Sequence, residues 1–234
     1  MKAKKGDDMD FSLDFTLDET PDGDFSERPT RSNEESPAVF SAYKTNTRHE
    51  TRAALSERRL ESTLDWHLQK GTTYHCISGG DVDALSYLRA IARTQPLDYV
   101  LISSWVIGKA DVEEIASWKR RGFIKRLDFY VGEYFANGDR TSRMETYEAI
   151  KKLVEPDGRV CIYRNHAKIT VGFGRDYDFS IASSANINTN PRIENTTITV
   201  DTGVATFYKE FYDGLKPYNS GYEGWTPWTK EAKE

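Results

Sequence analysis

The chain has 234 residues, of which 38% are hydrophobic and 29% are charged. This composition is ordinary for a protein with one sizeable core, and no run approaches the about 18 apolar residues that a membrane span needs. Basic residues at the start are followed by acidic ones where the apolar part of a secretory signal would lie. The two cysteines, Cys76 and Cys161, have neither metal-ligand spacing nor a disulfide framework. We therefore expect a cytoplasmic protein.

Charge is distributed unevenly along the chain. Residues 1–40 contain eleven acidic and five basic residues, a net charge of −6, whereas the whole chain carries −5. Residues 41–234 are therefore at +1, which is close to neutral. A nearly neutral domain neither requires nor excludes nucleic acid as a partner, because a local basic groove is still compatible with it.

Residues 1–55 form the first region of the chain, and their acidic, Ser- and Pro-containing composition predicts a disordered tail. Within it, apolar residues alternate with polar ones from Met9 to Leu17, as in a strand with one apolar face. Residues 9–18 are thus a candidate docking strand for this domain's own sheet or for a protein partner. The alternative is that the alternation is accidental.

Residues 56–218 read as one folded domain, followed by a C-terminal tail at 219–234. Helices are predicted at Ala53–Gln69, around Ala84–Ile91, at Asp111–Lys119 and at Thr141–Leu153, and strands at Thr73–Ile77, Tyr99–Ile107, Leu127–Val131, Val160–Tyr163, Ile169–Val171, Phe179–Ala182 and Thr196–Val200. The nearly continuous apolar run at Tyr99–Ile107 is typical of a strand that is buried on both faces. Because strands and helices alternate, we expect an α/β sandwich around a mixed sheet. No internal repeat is visible.

The stretch from Asn165 to Glu194 contains the residues whose side chains are suited to catalysis. His166 and Lys168 are two residues apart on an extended chain, so their side chains project from the same face. A glycine-rich turn at Gly172–Gly174 leads to the strand Phe179–Ala182, which predicts a hairpin. The hairpin returns the small polar residues Ser183, Ser184 and Asn186 to that face, and Glu194 opens the strand that follows.

Such a set of side chains suits the cleavage of a phosphodiester. An imidazole attacks phosphorus and forms a covalent intermediate, which divides one difficult step into two easier ones. The lysine ammonium neutralises the phosphoryl oxygens, and Ser and Asn donors hold them in place. A carboxylate on the far imidazole nitrogen selects the tautomer that presents a lone pair. Nothing in this set needs a metal or another cofactor, so we expect neither.

With these residues the sequence resembles the HKD motif of the phospholipase D superfamily. That motif consists of His-x-Lys, an Asp after a four-residue spacer, and Gly-Ser-x-Asn on the next strand. His166 and Lys168 match the first part, the Ser183–Asn188 segment matches the last, and the strand, helix and strand from Ile102 to Gly132 are similar to those that precede the motif. The resemblance implies a phospholipase-D-like α/β/α sandwich. It also implies catalytic roles for His166, Lys168, Ser184, Asn186 and Glu194.

The sequence departs from the family pattern at two positions. Phe173 stands where the motif has Asp, and either Asp176 or Asp178 is a candidate replacement. In the family that Asp is implied to support the motif rather than attack phosphorus, so its loss weakens the prediction of activity without removing it. Ser183 replaces the Gly of the Gly-Ser pair, which exchanges one small residue for another.

The resemblance implies a metal-independent phosphodiesterase with a phosphohistidine intermediate, most readily an endonuclease. A single motif implies a homodimer with one shared active site. Two alternatives are a dimeric module that only binds phosphate or nucleic acid, and a phosphatidyltransferase. No membrane anchor is evident, so we do not expect a membrane partner.

Further candidate residues lie outside the motif. Ser183, Asn188 and Trp105 are candidate substrate contacts, although Trp105 at the end of a central strand is more often a core residue. A solvated helix face is the more frequent explanation of the basic cluster at Lys119–Arg126, although phosphate-backbone binding would use the same residues. Trp225 and Trp228 are expected to cover an apolar edge.

Overall fold

The fold is an eight-stranded mixed sheet with helices on both faces. The computed structural model describes residues 45, 47–54, 68–79, 82–135, 141–187, 192–219 and 224–230. Two predictions lie outside this part of the chain, namely the docking strand at 9–18 and the substrate contact Asn188. The predicted helix at Ala53–Gln69 lies outside it over residues 55–67, and its described ends are not helical, since Ala53 and Ala54 end a strand and residues 68 and 69 are irregular. Within the described helices, none is long and apolar enough to cross a membrane.

The strands occur in the sheet in the order β1-β2-β8-β7-β6-β3-β4-β5. In chain order they are β1 Arg48–Ala54, β2 Thr72–Ser78, β3 Leu97–Ser104, β4 Ile124–Gly132, β5 Val160–Tyr163, β6 Ile169–Gly174, β7 Asp178–Ser183 and β8 Glu194–Val200. The helices are α1 Ala84–Thr94, α2 Lys109–Arg120, α3 Thr141–Val154 and α4 Thr202–Asp213, with a short 3₁₀ helix at Glu133–Phe135. The predicted α/β sandwich around a mixed sheet is confirmed.

Alternation along the central strands explains why their sequences are apolar throughout. Val100 and Ile102 of β3 belong to the larger core cluster, which packs against α1, α2 and α3. Tyr99 and Leu101 point the other way, into a smaller cluster that includes Ala205 of α4. Both sets are fully buried, as expected for a strand that is covered on its two faces.

Helix and strand ends follow local turn chemistry. Asp83 caps α1 by accepting a hydrogen bond from the Ser86 backbone N–H at 2.9 Å, which satisfies one of the free donors of the first turn. Helix α2 is followed by Gly122 with φ +75°, in the left-handed region that favours glycine. Local interactions of this kind fix where these helices begin and end.

The predicted hairpin is present, but its turn lies at other residues than predicted. Strands β6 and β7 do form an antiparallel hairpin, but Gly172 and Gly174 lie within β6, and residues 175–177 make the turn. A Cβ atom at Gly172 would lie 2.3 Å from the ring of Phe179, its cross-strand partner, so glycine is needed there for close packing rather than for a turn. Strand β5 pairs with β4, and not with β6.

Both predicted tails contribute residues to the fold. Strand β1 pairs in parallel with β2 along its length, so the folded domain begins before the predicted boundary at residue 55. The sequence of β1 is polar and has no apolar pattern that predicts a strand, because an edge strand can be held by backbone hydrogen bonds alone. In the C-terminal segment, the ring of Trp228 stacks on Tyr99 with centroids 5.0 Å apart. Trp228 therefore covers the face of the sheet, and part of the predicted tail at 219–234 belongs to the domain.

Candidate active site

One edge of the sheet gathers the polar residues that the motif singled out. Strands β3 and β4 are parallel and end at this edge, whereas β6 is antiparallel to β3 and begins there. Strand β7 ends and β8 begins at the same edge, because each is antiparallel to its neighbour. A cavity of about 170 Å³ lies between them, lined by Val82, Asp83, Trp105, His166, Lys168, Ser184, Ala185, Asn186, Arg192 and Glu194. The topology thus brings together residues that are more than a hundred positions apart in the chain, from Val82 to Glu194.

His166 and Lys168 are in direct contact. The Lys168 ammonium nitrogen Nζ lies 3.0 Å from Nδ1 and 3.3 Å from Nε2 of His166, and it donates to the His166 carbonyl oxygen at 2.8 Å. The imidazole is exposed, whereas Lys168 is buried. Burial lowers the pKa of Lys168, and the nearby Glu194 carboxylate partly opposes this shift. A cation that is held in this way, beside an accessible imidazole, suits the binding of an anion.

The turn that carries His166 is held in place by hydrogen bonds to the ends of β3 and β4. Asn165 accepts from the Ala167 backbone N–H at 3.0 Å, the local pattern of an Asx turn, and its amide nitrogen donates to Ser103 Oγ at 2.9 Å and to the Tyr130 carbonyl at 2.8 Å. Ser103 Oγ also accepts from the Tyr212 hydroxyl at 2.8 Å and donates to the Ala167 carbonyl at 3.2 Å. The Ser103 hydroxyl is therefore fully used, and the turn has one defined position.

Ser184, Asn186 and Glu194 form the opposite wall of the cavity. Ser184 Oγ donates a short hydrogen bond to the Glu194 carboxylate and accepts from the Asn195 backbone N–H at 3.0 Å. The side-chain oxygen of Asn186 is buried, and no hydrogen-bond partner for it occurs among the described residues. This oxygen only accepts, so the free-energy cost of leaving it unpaired is removed by a ligand that carries a hydrogen-bond donor. The wall thus offers hydroxyl and amide groups toward the His–Lys pair.

Two predicted roles receive a different assignment. Ser183 supports the end of β7, since its hydroxyl bonds Thr196 Oγ1 at 2.7 Å and accepts from the Ala185 backbone N–H at 3.1 Å, and it does not line the cavity. Glu194 contacts Ser184, and no hydrogen bond joins Glu194 to His166 among the described residues. The selection of a histidine tautomer by Glu194 is therefore not observed within one chain.

Asp178 is a buried carboxylate next to Phe173, the residue that stands where the motif has Asp. The two residues are cross-strand partners. Asp178 accepts from the Gly174 backbone N–H at 3.3 Å, from Thr202 Oγ1 at 2.7 Å and from Lys230 Nζ at 2.6 Å, whereas Asp176 is exposed and pairs with Arg175. Of the two candidates, Asp178 is the one whose hydrogen bonds suit an Asp that supports the structure. However, it joins β6, β7 and α4 at the end of the sheet away from His166. Phe173 packs with Trp228 at 5.0 Å.

The basic cluster at Lys119–Arg126 also lies at that opposite end, where β4 begins. Lys119 donates to the carbonyl oxygens of Leu153 and Glu155, and Lys125 pairs with Asp98 at 2.7 Å. The Arg121 guanidinium packs over the Phe123 ring at 4.5 Å. These contacts are structural, and the cluster is not adjacent to the cavity. Arg192 lines the cavity but is not among the residues predicted for the site. No local pattern marked it as a site residue.

Comparison with known proteins gives matches only at the level of structure. No protein-family model matches the chain, and no curated protein matches it. It is similar to a polyphosphate kinase from Porphyromonas gingivalis, with 11% identity and a TM-score of 0.41, over 56% of this chain and 24% of that one. It is also similar to a phosphatidylserine synthase from Haemophilus influenzae, with 16% identity and a TM-score of 0.40, over 60% of this chain and 38% of that one. This chain therefore spans only a minor part of the length of either of these proteins.

Proposed function

We propose that the chain is a metal-independent phosphodiesterase in which His166 is the nucleophile and Lys168 holds the phosphate. The observation that carries this proposal is the contact of a buried lysine ammonium with an exposed imidazole, 3.0 Å apart, at the mouth of a polar cavity. The ammonium lies within 3.3 Å of both ring nitrogens of His166, and which of them carries a proton depends on the tautomer. A phosphate oxygen is a stronger, charged acceptor for Lys168, and its binding releases the imidazole for attack.

The reaction proceeds in two displacements. A ring nitrogen of His166 forms a bond to phosphorus while the bond from phosphorus to the leaving oxygen breaks, and that oxygen takes a proton from an acid. Water then attacks phosphorus, loses its proton to the same group acting as a base, and the bond from phosphorus to nitrogen breaks. Lys168 and the Asn186 amide stabilise the phosphoryl oxygens during both steps, and Ser184 joins them when its one hydroxyl proton turns from Glu194 to the phosphate. Glu194 orients Ser184 through their short hydrogen bond.

The acid in this scheme is a second histidine, and we propose that a second copy of the chain supplies it. The sequence contains one His-x-Lys motif, and His75 is followed two residues later by Ile77 rather than by lysine. A two-fold interface that sets the two cavities face to face would place two histidines and two lysines around one phosphate. The proposed active form is thus a homodimer with one shared site.

Two alternatives each have an observation in their favour. A module that binds phosphate without cleaving it is favoured by Phe173 in place of the motif Asp and by the absence of a Glu194–His166 bond among the described residues. A phosphatidyltransferase is favoured by two exposed isoleucines beside Glu194, namely Ile193 and Ile77 of the neighbouring strand β2. Nucleic acid remains the preferred substrate because of the aromatic surroundings of His166, which are described in the next subsection.

Turnover of bis(p-nitrophenyl) phosphate in EDTA tests the proposal. We expect hydrolysis by the wild-type chain with excess chelator, and a loss of at least about a thousandfold in His166→Ala, which removes the nucleophile. His75→Ala on β2 is the matched control and should retain activity. Binding of inorganic phosphate without turnover would establish the binding module instead. Activity that chelation abolishes and Mg²⁺ or Mn²⁺ restores would contradict the proposed chemistry.

A further inference from the structure

Trp105 is an exposed aromatic residue that is held in a fixed position beside the nucleophile. It follows directly after β3, its side chain is 41% exposed, and its ring centroid lies 5.4 Å from that of His166 with the planes tilted by 41°. Gly132 at the end of β4 provides the space for this ring. A Cβ atom there would lie 2.2 Å from Trp105 Cδ1 and 3.1 Å from the Asn165 carbonyl oxygen. The glycine therefore seats the indole against the turn of the motif.

A second aromatic ring and a cation continue the surface away from His166. Tyr134, in the 3₁₀ helix after β4, contacts Trp105 edge-on with centroids 6.4 Å apart. The Arg143 guanidinium lies over the face of Tyr134 at 3.8 Å from the ring centroid, a distance at which a cation is attracted to the ring. The Arg143 Nε atom is buried and has no hydrogen-bond partner among the described residues. We call Trp105, Tyr134 and Arg143 the stacking platform.

Acidic side chains next to the platform in the sequence are neutralised by basic partners. Glu133 accepts from Arg164 Nε at 3.0 Å, and Glu145 pairs with Lys109 at 3.2 Å. Arg192 adds a positive charge on the cavity lining. The surface beside the His–Lys pair therefore combines aromatic rings with cations, and the two carboxylates that adjoin the platform in the sequence are paired. This combination suits a ligand with a flat π system attached to an anionic group.

We propose that the substrate is single-stranded nucleic acid and that the nucleobase next to the scissile phosphate stacks on Trp105. This inference rests on the proposed function and names its substrate class. Aromatic and arginine side chains beside a phosphate site are the means by which proteins bind unpaired bases, whatever their sequence. In a duplex the faces of the bases are covered by their neighbours, so the platform selects strands whose bases are free to turn outward. An aliphatic lipid chain gains nothing specific from a cation-backed aromatic surface.

A matched pair of small diesters isolates the base from the chemistry. Thymidine 5′-(p-nitrophenyl phosphate) and methyl p-nitrophenyl phosphate have the same leaving group and differ in the nucleoside. We expect the wild-type chain to prefer the thymidine ester, and Trp105→Leu to lower kcat/KM for that ester by about 5- to 150-fold, the equivalent of one lost base stack. Trp105→Phe should retain most of the preference, and the methyl ester should respond little to either change. Phe211→Leu on α4, 39% exposed, is the control at a distance.

The outcomes separate this inference from the proposed function. If neither ester is hydrolysed by the wild-type chain, the proposed function fails, and the platform is then judged by binding alone. In that case a fluorescein-labelled ten-residue oligothymidylate should bind His166→Asn more tightly than His166→Asn with Trp105→Leu, by fluorescence anisotropy. If both esters are hydrolysed and Trp105→Leu slows them equally, the platform is wrong while the phosphodiesterase stands.

Three further measurements would also overturn the platform. The first is equal cleavage of single-stranded and duplex oligonucleotides of the same sequence. The second is dissociation of a wild-type dimer by Trp105→Leu in light scattering, which would assign the residue to a subunit interface. The third is binding to vesicles of anionic phospholipid that Trp105→Leu abolishes, which would assign it to a membrane surface. The expected results are preference for the single strand, an unchanged molar mass and no vesicle binding.

Discussion

The side-chain amide of Asn165 donates to Ser103 Oγ at 2.9 Å and thereby ties the turn that carries His166 to the end of the central strand β3. The same serine hydroxyl accepts from Tyr212 of α4 at 2.8 Å. Through these two bonds, the position of the nucleophile depends on a strand and on a helix from the opposite face of the sheet. Neither side chain touches the cavity itself, so both are positioning residues.

Asn165→Ala is predicted to impair catalysis through this positioning. The substitution removes the bonds to Ser103 and Tyr130 and leaves their buried oxygens with fewer donors, which should cost about 1–3 kcal/mol of stability. A loosened His166 should lower kcat by about 10- to 100-fold, because a misplaced reacting group loses much of its effective concentration. KM should change little, since Lys168 still binds phosphate.

The comparison of Asn165→Ala with Asn165→Asp distinguishes positioning from general damage. Asp retains the acceptor for the Ala167 backbone N–H but loses the donor to Ser103, so its activity should fall between those of the wild type and Asn165→Ala. Near-ultraviolet circular dichroism checks that both variants are folded. An Asn165→Ala chain with full kcat would contradict the role of the turn.

The alkaline side of the pH profile should report the proton of Lys168. Burial lowers the pKa of this ammonium below its ordinary value of 10.5. The pH dependence of kcat/KM reports the ionisation of essential groups in the free enzyme. Since the neutral amine no longer neutralises phosphate, kcat/KM should fall as the pH rises toward 10.5. In Lys168→Arg the guanidinium stays protonated over this range, so this decrease should disappear, at an overall cost of about 10- to 100-fold in rate. Lys109→Arg, which replaces a lysine outside the cavity, should leave the profile unchanged.

A shared active site predicts how activity responds to subunit mixing. If each site needs His166 from both chains, every heterodimer with His166→Ala is inactive, and activity after full exchange should fall as the square of the wild-type fraction. Independent sites would give a linear decrease instead. Light scattering near neutral pH should give the mass of two chains. A strictly monomeric chain that turns over a phosphodiester would contradict the dimer.

The carboxyl of Asp111 predicts a dependence of stability on pH. Burial, with the nearby Asp83 carboxylate as the next cause, raises its pKa from 3.8 to about 6. The folded protein therefore binds more protons than the unfolded chain between these values, and the free energy of unfolding should fall as the pH rises through this window. Because water still screens this half-buried group, we expect a contribution of about 1–2 kcal/mol.

Chemical denaturation of Asp111→Asn from pH 4 to pH 7 checks this contribution. The asparagine oxygen can still accept from the Gly108 backbone N–H, as Asp111 does at 3.2 Å. The wild type should therefore lose stability relative to the variant as the pH rises. Parallel curves for the two proteins would show that Asp111 does not titrate in this range.

The local part of the structure could be predicted because its causes are local. Gly122 after α2 and the apolar strands mark their elements through turn chemistry and periodicity that act within a few residues. The contact of His166 with Lys168 likewise follows from their two-residue spacing. The β6–β7 hairpin, which brings Ser184 back to the same site, follows from two strands that are consecutive in the chain. These parts of the fold and of the site were therefore accessible without tertiary information.

The remaining part depends on contacts between distant segments. Strand β1 is polar, and only its backbone pairing with β2 reveals it. Arg192 and Trp105 reach the cavity because of the strand order, and a glycine 27 positions after Trp105 decides where its ring lies. The sequence by itself determined which side chains could perform phosphodiester chemistry, since that depends on residue type and short spacing. Only the tertiary structure decided which side chains surround them, because strand order and close packing are set by the chain as a whole.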